Sequence, residues 1–362
     1  MARSATATID LAAIRHNLDR ARDFAPGRKI IAVVKADGYG HGIVEIARSL
    51  QAADLLGVAC IEEAIQLREA GIQTGILLLE GFFEDSELDQ IEQYNLETVI
   101  HQQAQLEQFR AHTFKQPPSL WIKLDTGMNR LGFEPQQFER VYQQLQQSSD
   151  ATAIRVMTHL ACSDEPGHPL TEQQQQKLQT VTADYDIERS IAASAAVIGS
   201  PATHQDWVRP GLMLYGVSPF SDQTGTDHEL LPAMLFQSKI TSIKTVKKGE
   251  SVGYGASWVA QRNSRIGVVA VGYGDGYPRH AQSGTPILIN GTRVPLAGRV
   301  SMDMICVDLT DQPQINLGDT ATLWGAGLPV EEIAGYCDAI PYQLLCGLTQ
   351  RVAITYKNQV QN

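Results

Sequence analysis

From residue 29 onward one pattern recurs: a short apolar run, then a stretch with apolar residues at helical spacing, then another run. Eight runs occur: KIIAVVKA (29–36), LLGVAC (55–60), GILLLE (75–80), ETVIH (97–101), SLWIKLD (119–125), AIRVMTHL (153–160), ERSIAAS (188–194) and WVRPGL (207–212). Between them lie helical patterns such as Ile43, Ile46, Ala47 and Leu50, or Ile61, Ala64, Ile65 and Leu67. Parallel strands need long crossovers rather than tight hairpins, so strands and helices must alternate along the chain. Eight such units predict a closed (β/α)8 TIM-type barrel. A further helix is expected after Asp10, a fitting N-cap, with Leu11, Ile14 and Leu18 on one face. The Gln-rich pieces QQLQQSS (143–149) and TEQQQQKL (171–178) fall in helix slots and read as solvated helix faces.

After about Pro219 the texture changes. FSDQTGTDHE (220–229) reads as a linker, and short β-rich runs follow: AMLFQSKITSIKTV, SRIGVVAVGYG, TPILINGTRVPL, SMDMICVDL and TATLWG. Asn290-Gly291 suits a type I′ hairpin turn, which needs positive φ at both central positions. The expected fold class is therefore α/β: a barrel over residues 1–225 and a mostly β C-terminal domain over 226–362. The first ten or so residues are a candidate to pair with that second domain. A length of 362 residues fits two cores better than one.

Composition removes several classes of partner. Forty acidic against 29 basic side chains give −11, which disfavours nucleic acid and anionic membrane surfaces. The five cysteines are odd in number and lack any C-x-x-C pair, which argues against a disulfide framework or a zinc site, and no other metal site is expected. The start MARSATATID has no apolar signal region, and no apolar stretch approaches the roughly 20 residues of a membrane span, so a cytoplasmic protein is expected.

In barrels of this type chemistry sits where strands end and βα loops begin. Those positions hold Lys35, Arg130, His159, Ser194 and Arg209. Lys35 ends an apolar strand and precedes the loop ADGYGHG. An amine among apolar neighbours loses ammonium solvation and becomes a competent imine-forming nucleophile, although position alone favours a lysine reaching into solvent. The loops after strands seven and eight commonly hold phosphate, and here they offer Ser194, Ala195, Gly211 and Leu212. An ordinary tight turn at Pro210-Gly211 is the plainer alternative. An imine-forming lysine beside a phosphate site would suit pyridoxal phosphate (PLP).

The stretches AVVKADGYGHG (32–42), WIKLDTGMNRLG (121–132), THLACSDE (158–165), VRPGLMLYG (208–216), SVGYGASW (251–258), GYGDGYPR (272–279), GRVSMDM (298–304) and PYQLLCG (341–347) resemble, in order, the signatures of bacterial alanine racemases. Any one is weak; together they span nearly the whole chain. The resemblance implies that Lys35 holds PLP and is one of two acid/base groups, the other being Tyr254 from the partner subunit of a homodimer with composite active sites. Racemisation removes the α-proton on one face and returns it on the other, so two groups must flank Cα. A phenol is a poor base at neutral pH unless neighbours manage its proton, and His159 and Arg209 are implied in that network.

The same resemblance places Arg209 against the cofactor's pyridine nitrogen, and Arg130 near its phenolic oxygen and the substrate carboxylate. Met302, through its backbone amide, and Asp303 are implied at that carboxylate, and Tyr273 as a gate favouring a small Cα substituent. Tyr39, Ser194, Gly211, Leu212 and Tyr342 are implied as phosphate contacts, and Lys123 as a candidate for carbamylation, the alternative being a plain lysine paired with Asp125. The implied activity is interconversion of L- and D-alanine, supplying D-alanine for peptidoglycan. A broad-specificity or serine-preferring racemase, and a non-catalytic PLP carrier, are the rival readings. A carrier would need neither the β domain nor Tyr254.

Overall fold

The computed structural model describes residues 4–148 and 151–359. They form two compact units: Ile14–Leu214 with Ser218–Asp222, and the segments up to Ala13, Tyr215–Val217 and from Gln223 onward.

The first unit is a closed parallel barrel of eight strands: Lys29–Val33, Leu55–Val58, Gly75–Leu78, Glu97–Ile100, Leu120–Lys123, Ile154–Met157, Arg189–Ala193 and Trp207–Arg209. It closes through parallel pairing of Lys29 with Trp207 and Ile30 with Val208. Each strand falls within one of the eight apolar runs. Leu55–Val58 and Leu120–Lys123 are buried throughout, because a barrel strand meets side chains inside and helices outside. Ile31, Leu55, Leu77, Val99, Trp121, Met157 and Trp207 fill one core cluster, so the interior is packed and not a channel.

The N-terminal ends of the strands are closed by a polar clamp. Arg155 pairs with Glu97 at 3.0 Å and Glu188 at 2.7 Å, and its guanidinium lies 5.3 and 5.2 Å from the rings of Trp121 and Trp207. The two indole N–H groups donate to the same carboxylates, Trp121 to Glu97 and Trp207 to Glu188. Stability resides at this end, which leaves the opposite rim free for polar groups.

The second unit is a mixed sheet. Its main path runs Thr292–Pro295, Pro286–Ile289, Thr320–Trp324, Met234–Val246, Thr6–Asp10, Ala353–Lys357, and Ser264–Val269 joins Met234–Val246 to Ile305–Asp308. Thr6–Asp10 pairs antiparallel with Met234–Val246 and parallel with Ala353–Lys357. Asn290 and Gly291 have φ of 49° and 77°, as the hairpin turn requires. Asp10 caps the helix Leu11–Phe24 by accepting from the Ala12 and Ala13 amides at 3.0 and 3.4 Å.

Two local expectations need correction, and the mostly β domain is filled in. The stretch 220–229 is not plain linker: Gly225–His228 forms a 3-10 turn boxed by Thr224 and Asp227. The sheet unit also carries two short helices, Val330–Tyr336 and Pro341–Cys346. Gln174, inside the Gln-rich helix Pro169–Thr182, is fully buried and not a solvated face. Among the described residues, no helix is long and apolar enough to cross a membrane, and no three His, Cys, Asp or Glu side chains are grouped to hold a metal.

Candidate active site

Lys35 stands just beyond its strand and opens a turn of unusual hand. Ala36, Asp37, Gly38 and Tyr39 all have φ between 52° and 61° with ψ between 42° and 54°. Left-handed backbone costs roughly 1–2 kcal/mol for each residue bearing a Cβ, so other contacts must hold this turn. The Gly38 amide donates to Val34 O at 2.8 Å, and Gly42 to Asp37 O at 2.9 Å. Asp37 Oδ1 accepts from the Ile43 amide at 2.8 Å, while the Asp37 amide donates to Glu63 at 3.4 Å. Gly38 eases the turn, taking this φ without a Cβ, which would lie tightly at 3.2 Å from Ile46. The turn brings the Tyr39 hydroxyl to 2.7 Å from where a Cβ on Gly211 would sit.

The Lys35 amine is half-exposed and lies 3.9 Å from Glu80 Oε1. The purely apolar setting expected for it is therefore absent. Cations nonetheless dominate this rim. Lys123 is buried at the end of its strand, its Nζ donating to Leu79 O at 3.5 Å. Burial first, then Arg209, Arg130 and Lys35, bring its amine down to about 8, with Glu80 opposing. The alternative partner Asp125 is occupied elsewhere: its carboxylate accepts from the amides of Gly127, Asn129 and Arg130 at 2.9–3.0 Å, shaping the loop that presents Arg130.

Arg209 is fully engaged in the barrel wall. Nη1 donates to Ser190 Oγ at 2.6 Å, and Nη2 faces Thr158 O at 2.6 Å, Ile191 O at 3.2 Å and His159 Nδ1 at 3.4 Å. A guanidinium has no acceptor, so Nδ1 of His159 is the acceptor and Nε2 bears the proton. Burial, then Arg209, Arg130, Lys123 and Lys35, hold the imidazole down at about 3. His159 is thus a neutral donor at physiological pH. Its backbone is fixed by Gln174, which donates to His159 O at 2.9 Å and Thr126 Oγ1 at 3.3 Å and accepts from the Ala161 amide at 2.9 Å.

Ser194 Oγ accepts from the amides of Gly211 at 2.9 Å and Met213 at 3.3 Å. Its lone pairs are used by the protein, and its own proton remains to be donated. Leu212 is buried beside it. The structure thus gathers Lys35, Tyr39, Lys123, Arg130, His159, Ser194, Arg209, Gly211 and Leu212 in the barrel unit, most of them at strand ends. Tyr254, Tyr273, Met302, Asp303 and Tyr342 belong to the sheet unit, where Tyr254 is 68% exposed and Met302 51%. Two residues escaped the sequence reading. Glu80 ends the run GILLLE and is reachable by the strand-end rule that found Lys35. Gln174 lies four residues from both Leu170 and Leu178, a spacing that puts it on the buried face.

A barrel with a lysine-bearing, cation-rich rim, joined in one chain to a β domain presenting tyrosines, defines a class of cofactor-dependent amino-acid enzyme. The family model described as alanine racemase, N-terminal domain matches residues 9–219, and that described as alanine racemase, C-terminal domain matches 233–356. A biosynthetic alanine racemase of Escherichia coli O6:H1 is 49% identical over 355 residues, 98% of this chain and 99% of that one. The crystal structure of biosynthetic alanine racemase from Pseudomonas aeruginosa superposes with a TM-score of 0.96 at 47% identity, covering 98% of this chain and 100% of that one. An alanine racemase from Bartonella henselae with covalently bound pyridoxal phosphate gives a TM-score of 0.88 at 27% identity, covering 98% and 99% of the two chains. The chain belongs to the alanine racemase family.

Proposed function

We propose that the chain interconverts L- and D-alanine with PLP as cofactor, acting as a cytoplasmic homodimer that supplies D-alanine for peptidoglycan. The observation that carries this reading is the rim itself, where four cations, Lys35, Lys123, Arg130 and Arg209, surround a neutral His159 with Glu80 as their carboxylate. Such a field suits an anionic cofactor and a carboxylate substrate. The residues fit a phosphate as well: Gly211 leaves room that a Cβ would fill beside the Tyr39 hydroxyl, and Ser194 keeps a proton to donate. Tyr39, Ser194, Gly211, Leu212 and Tyr342 would hold the phosphate, and Lys35 the aldehyde carbon. When bound, PLP supplies an electron sink that acidifies Cα–H.

The remaining work falls to side chains. Lys35 exchanges the α-proton on one face and the Tyr254 hydroxyl on the other. His159, neutral with its proton on Nε2, serves the phenol as a hydrogen-bond donor, and Arg209 fixes that tautomer. Arg209 keeps its protons and would leave the pyridine nitrogen facing it unprotonated. Arg130 and the Met302 amide receive the carboxylate, Asp303 lies beside that amide with its own carboxylate turned to Arg351, and Tyr273 limits the Cα substituent. The exposure of Tyr254 suits a residue that serves a neighbouring subunit.

The test is solvent-deuterium exchange at Cα of both alanine enantiomers with added PLP, alongside serine and lysine. Rapid exchange and inversion confined to alanine are expected. Bound PLP without exchange would establish a carrier, and equal rates on serine a broad racemase. Mixing inactive Lys35→Ala and Tyr254→Phe chains should restore partial activity; failure despite confirmed subunit exchange contradicts the shared site.

A further inference from the structure

The loop bearing Met302 and Asp303 is tied down more firmly than its exposure suggests. The amide and hydroxyl of Ser301 both donate to Met304 O, at 3.0 and 2.6 Å, closing a tight turn around Met302 and Asp303. A neighbouring loop grips that turn: the Tyr273 amide donates to Ser301 O at 3.1 Å and the Gly274 amide to Met302 O at 2.9 Å. The fit leaves no slack. A Cβ on Gly272 would fall 2.2 Å from Ser301 O, and one on Gly274 would fall 2.3 Å from Arg351 Nη1 and 3.0 Å from Met302 O.

Arg351 spans both loops. Nη2 donates to Asp303 Oδ1 at 2.5 Å, and Nε faces Asp275 Oδ1 at 3.5 Å. Asp275 is fully buried, and its other oxygen accepts from the Gly272 amide at 2.9 Å. A third segment locks the bridge from behind, with the Thr349 amide donating to Asp275 O at 3.3 Å and its hydroxyl to Gly274 O at 2.8 Å.

A backbone N–H discriminates an anion only if its direction is fixed before the anion arrives. A planar guanidinium hydrogen-bonded to one carboxylate and ion-paired with a second supplies that rigidity, whereas an ammonium is a point charge on a flexible stem. We propose that Arg351 is a positioning residue for substrate: by bridging Asp303 and Asp275 it fixes the Met302 amide, and with it Tyr273, for receipt of the amino-acid carboxylate. This inference rests on the reading of Met302 as the carboxylate contact.

The experiment compares Arg351→Lys, Asp303→Ala and the double variant as PLP-loaded enzyme. It measures KM and kcat for alanine, inhibition by propionate (carboxylate, no amine) and by ethylamine (amine, no carboxylate), and hydrogen exchange of the segment containing Met302. Each single variant should raise KM and the propionate Ki about tenfold with kcat within about twofold. Ethylamine inhibition should hold and exchange at Met302 should accelerate. The double variant should be little worse than either single one, because both remove one bridge. Unchanged propionate inhibition, or equal weakening of propionate and ethylamine, would overturn the proposal. Should Arg351→Lys fail to fold, Asp303→Ala decides alone, since it leaves Asp275 paired. Failure of the wild-type enzyme to racemise alanine or bind propionate would instead remove the underlying reading of Met302.

Discussion

His159 receives a hydrogen bond from Arg209, Nη2 to Nδ1 at 3.4 Å, so one side of its ring is committed to a permanent cation. Burial first, and the Arg209 cation after it, keep the imidazole neutral far below its ordinary range. Nitrogen-15 NMR at pH 5 should find His159 neutral with its proton on Nε2; an imidazolium at that pH contradicts the arrangement. Arg209→Gln removes the neighbouring charge and should move the titration upward.

The same depression makes stability depend on pH. His159 at about 3 and the buried His41 at about 4 are both held down chiefly by burial. An unfolded chain binds their protons below about pH 6.5. Their contribution is complete above that value and is lost as pH falls towards 4 and then 3. Urea unfolding between pH 6 and 4.5 should show stability falling by about 1 kcal/mol per pH unit for each histidine. His41→Asn should remove one share of that slope, and an unaltered slope would discount the effect.

Lys123 retains a usable neutral fraction near pH 8, because burial and three cations lower its amine to about 8. A neutral amine adds carbon dioxide and an ammonium does not. Enzyme equilibrated with carbon-13 bicarbonate should give a carbamate carbon signal that Lys123→Met abolishes. Electron density ending at the amine nitrogen would exclude the modification.

From a buried position Gln174 holds the His159 loop through two hydrogen bonds, to His159 O and from the Ala161 amide, and reaches Thr126 with a third. Gln174→Leu fills a similar volume but strands His159 O and the Ala161 amide. A loss of about 2 kcal/mol is expected in chemical denaturation, with kcat falling while PLP binding is retained. Loss of stability without any effect on kcat would make Gln174 structural only.

Arg155 is the converse case, lying at the strand ends far from the catalytic rim. Arg155→Met should destabilise by about 2 kcal/mol, less than the 3–5 typical of wholly buried pairs because Glu188 is partly exposed. Kinetic constants of the folded fraction should not change. Glu188 is drawn down to about 2 despite its burial by hydrogen bonds from Lys29, Trp207 and Arg155. Its share of the clamp is thus intact above about 4.5 and lost only as pH falls towards 2.

How much of this was legible in the chain depends on the range of the interaction. The barrel strands follow from local apolar runs, and the Asn290-Gly291 turn from backbone preference alone. Lys35 and Arg209 were visible because a polar residue ending an apolar strand breaks its pattern. Glu80 breaks the same pattern yet becomes meaningful only when folding sets it beside Lys35. The left-handed run Ala36–Tyr39 has no local signature, since three of its four residues disfavour that hand and tertiary contacts impose it. Arg351 was silent for a similar reason: its partners Asp275 and Asp303 are distant in sequence.

The strand Thr6–Asp10 lies between Met234–Val246 and Ala353–Lys357. It emerges from the ribosome before the whole barrel, yet both its neighbours are made after it. The strand therefore waits unpaired until Met234–Val246 is made and keeps its other edge open until synthesis reaches Lys357, so a pause or truncation in that last stretch would leave a finished barrel attached to an open, self-adhesive edge.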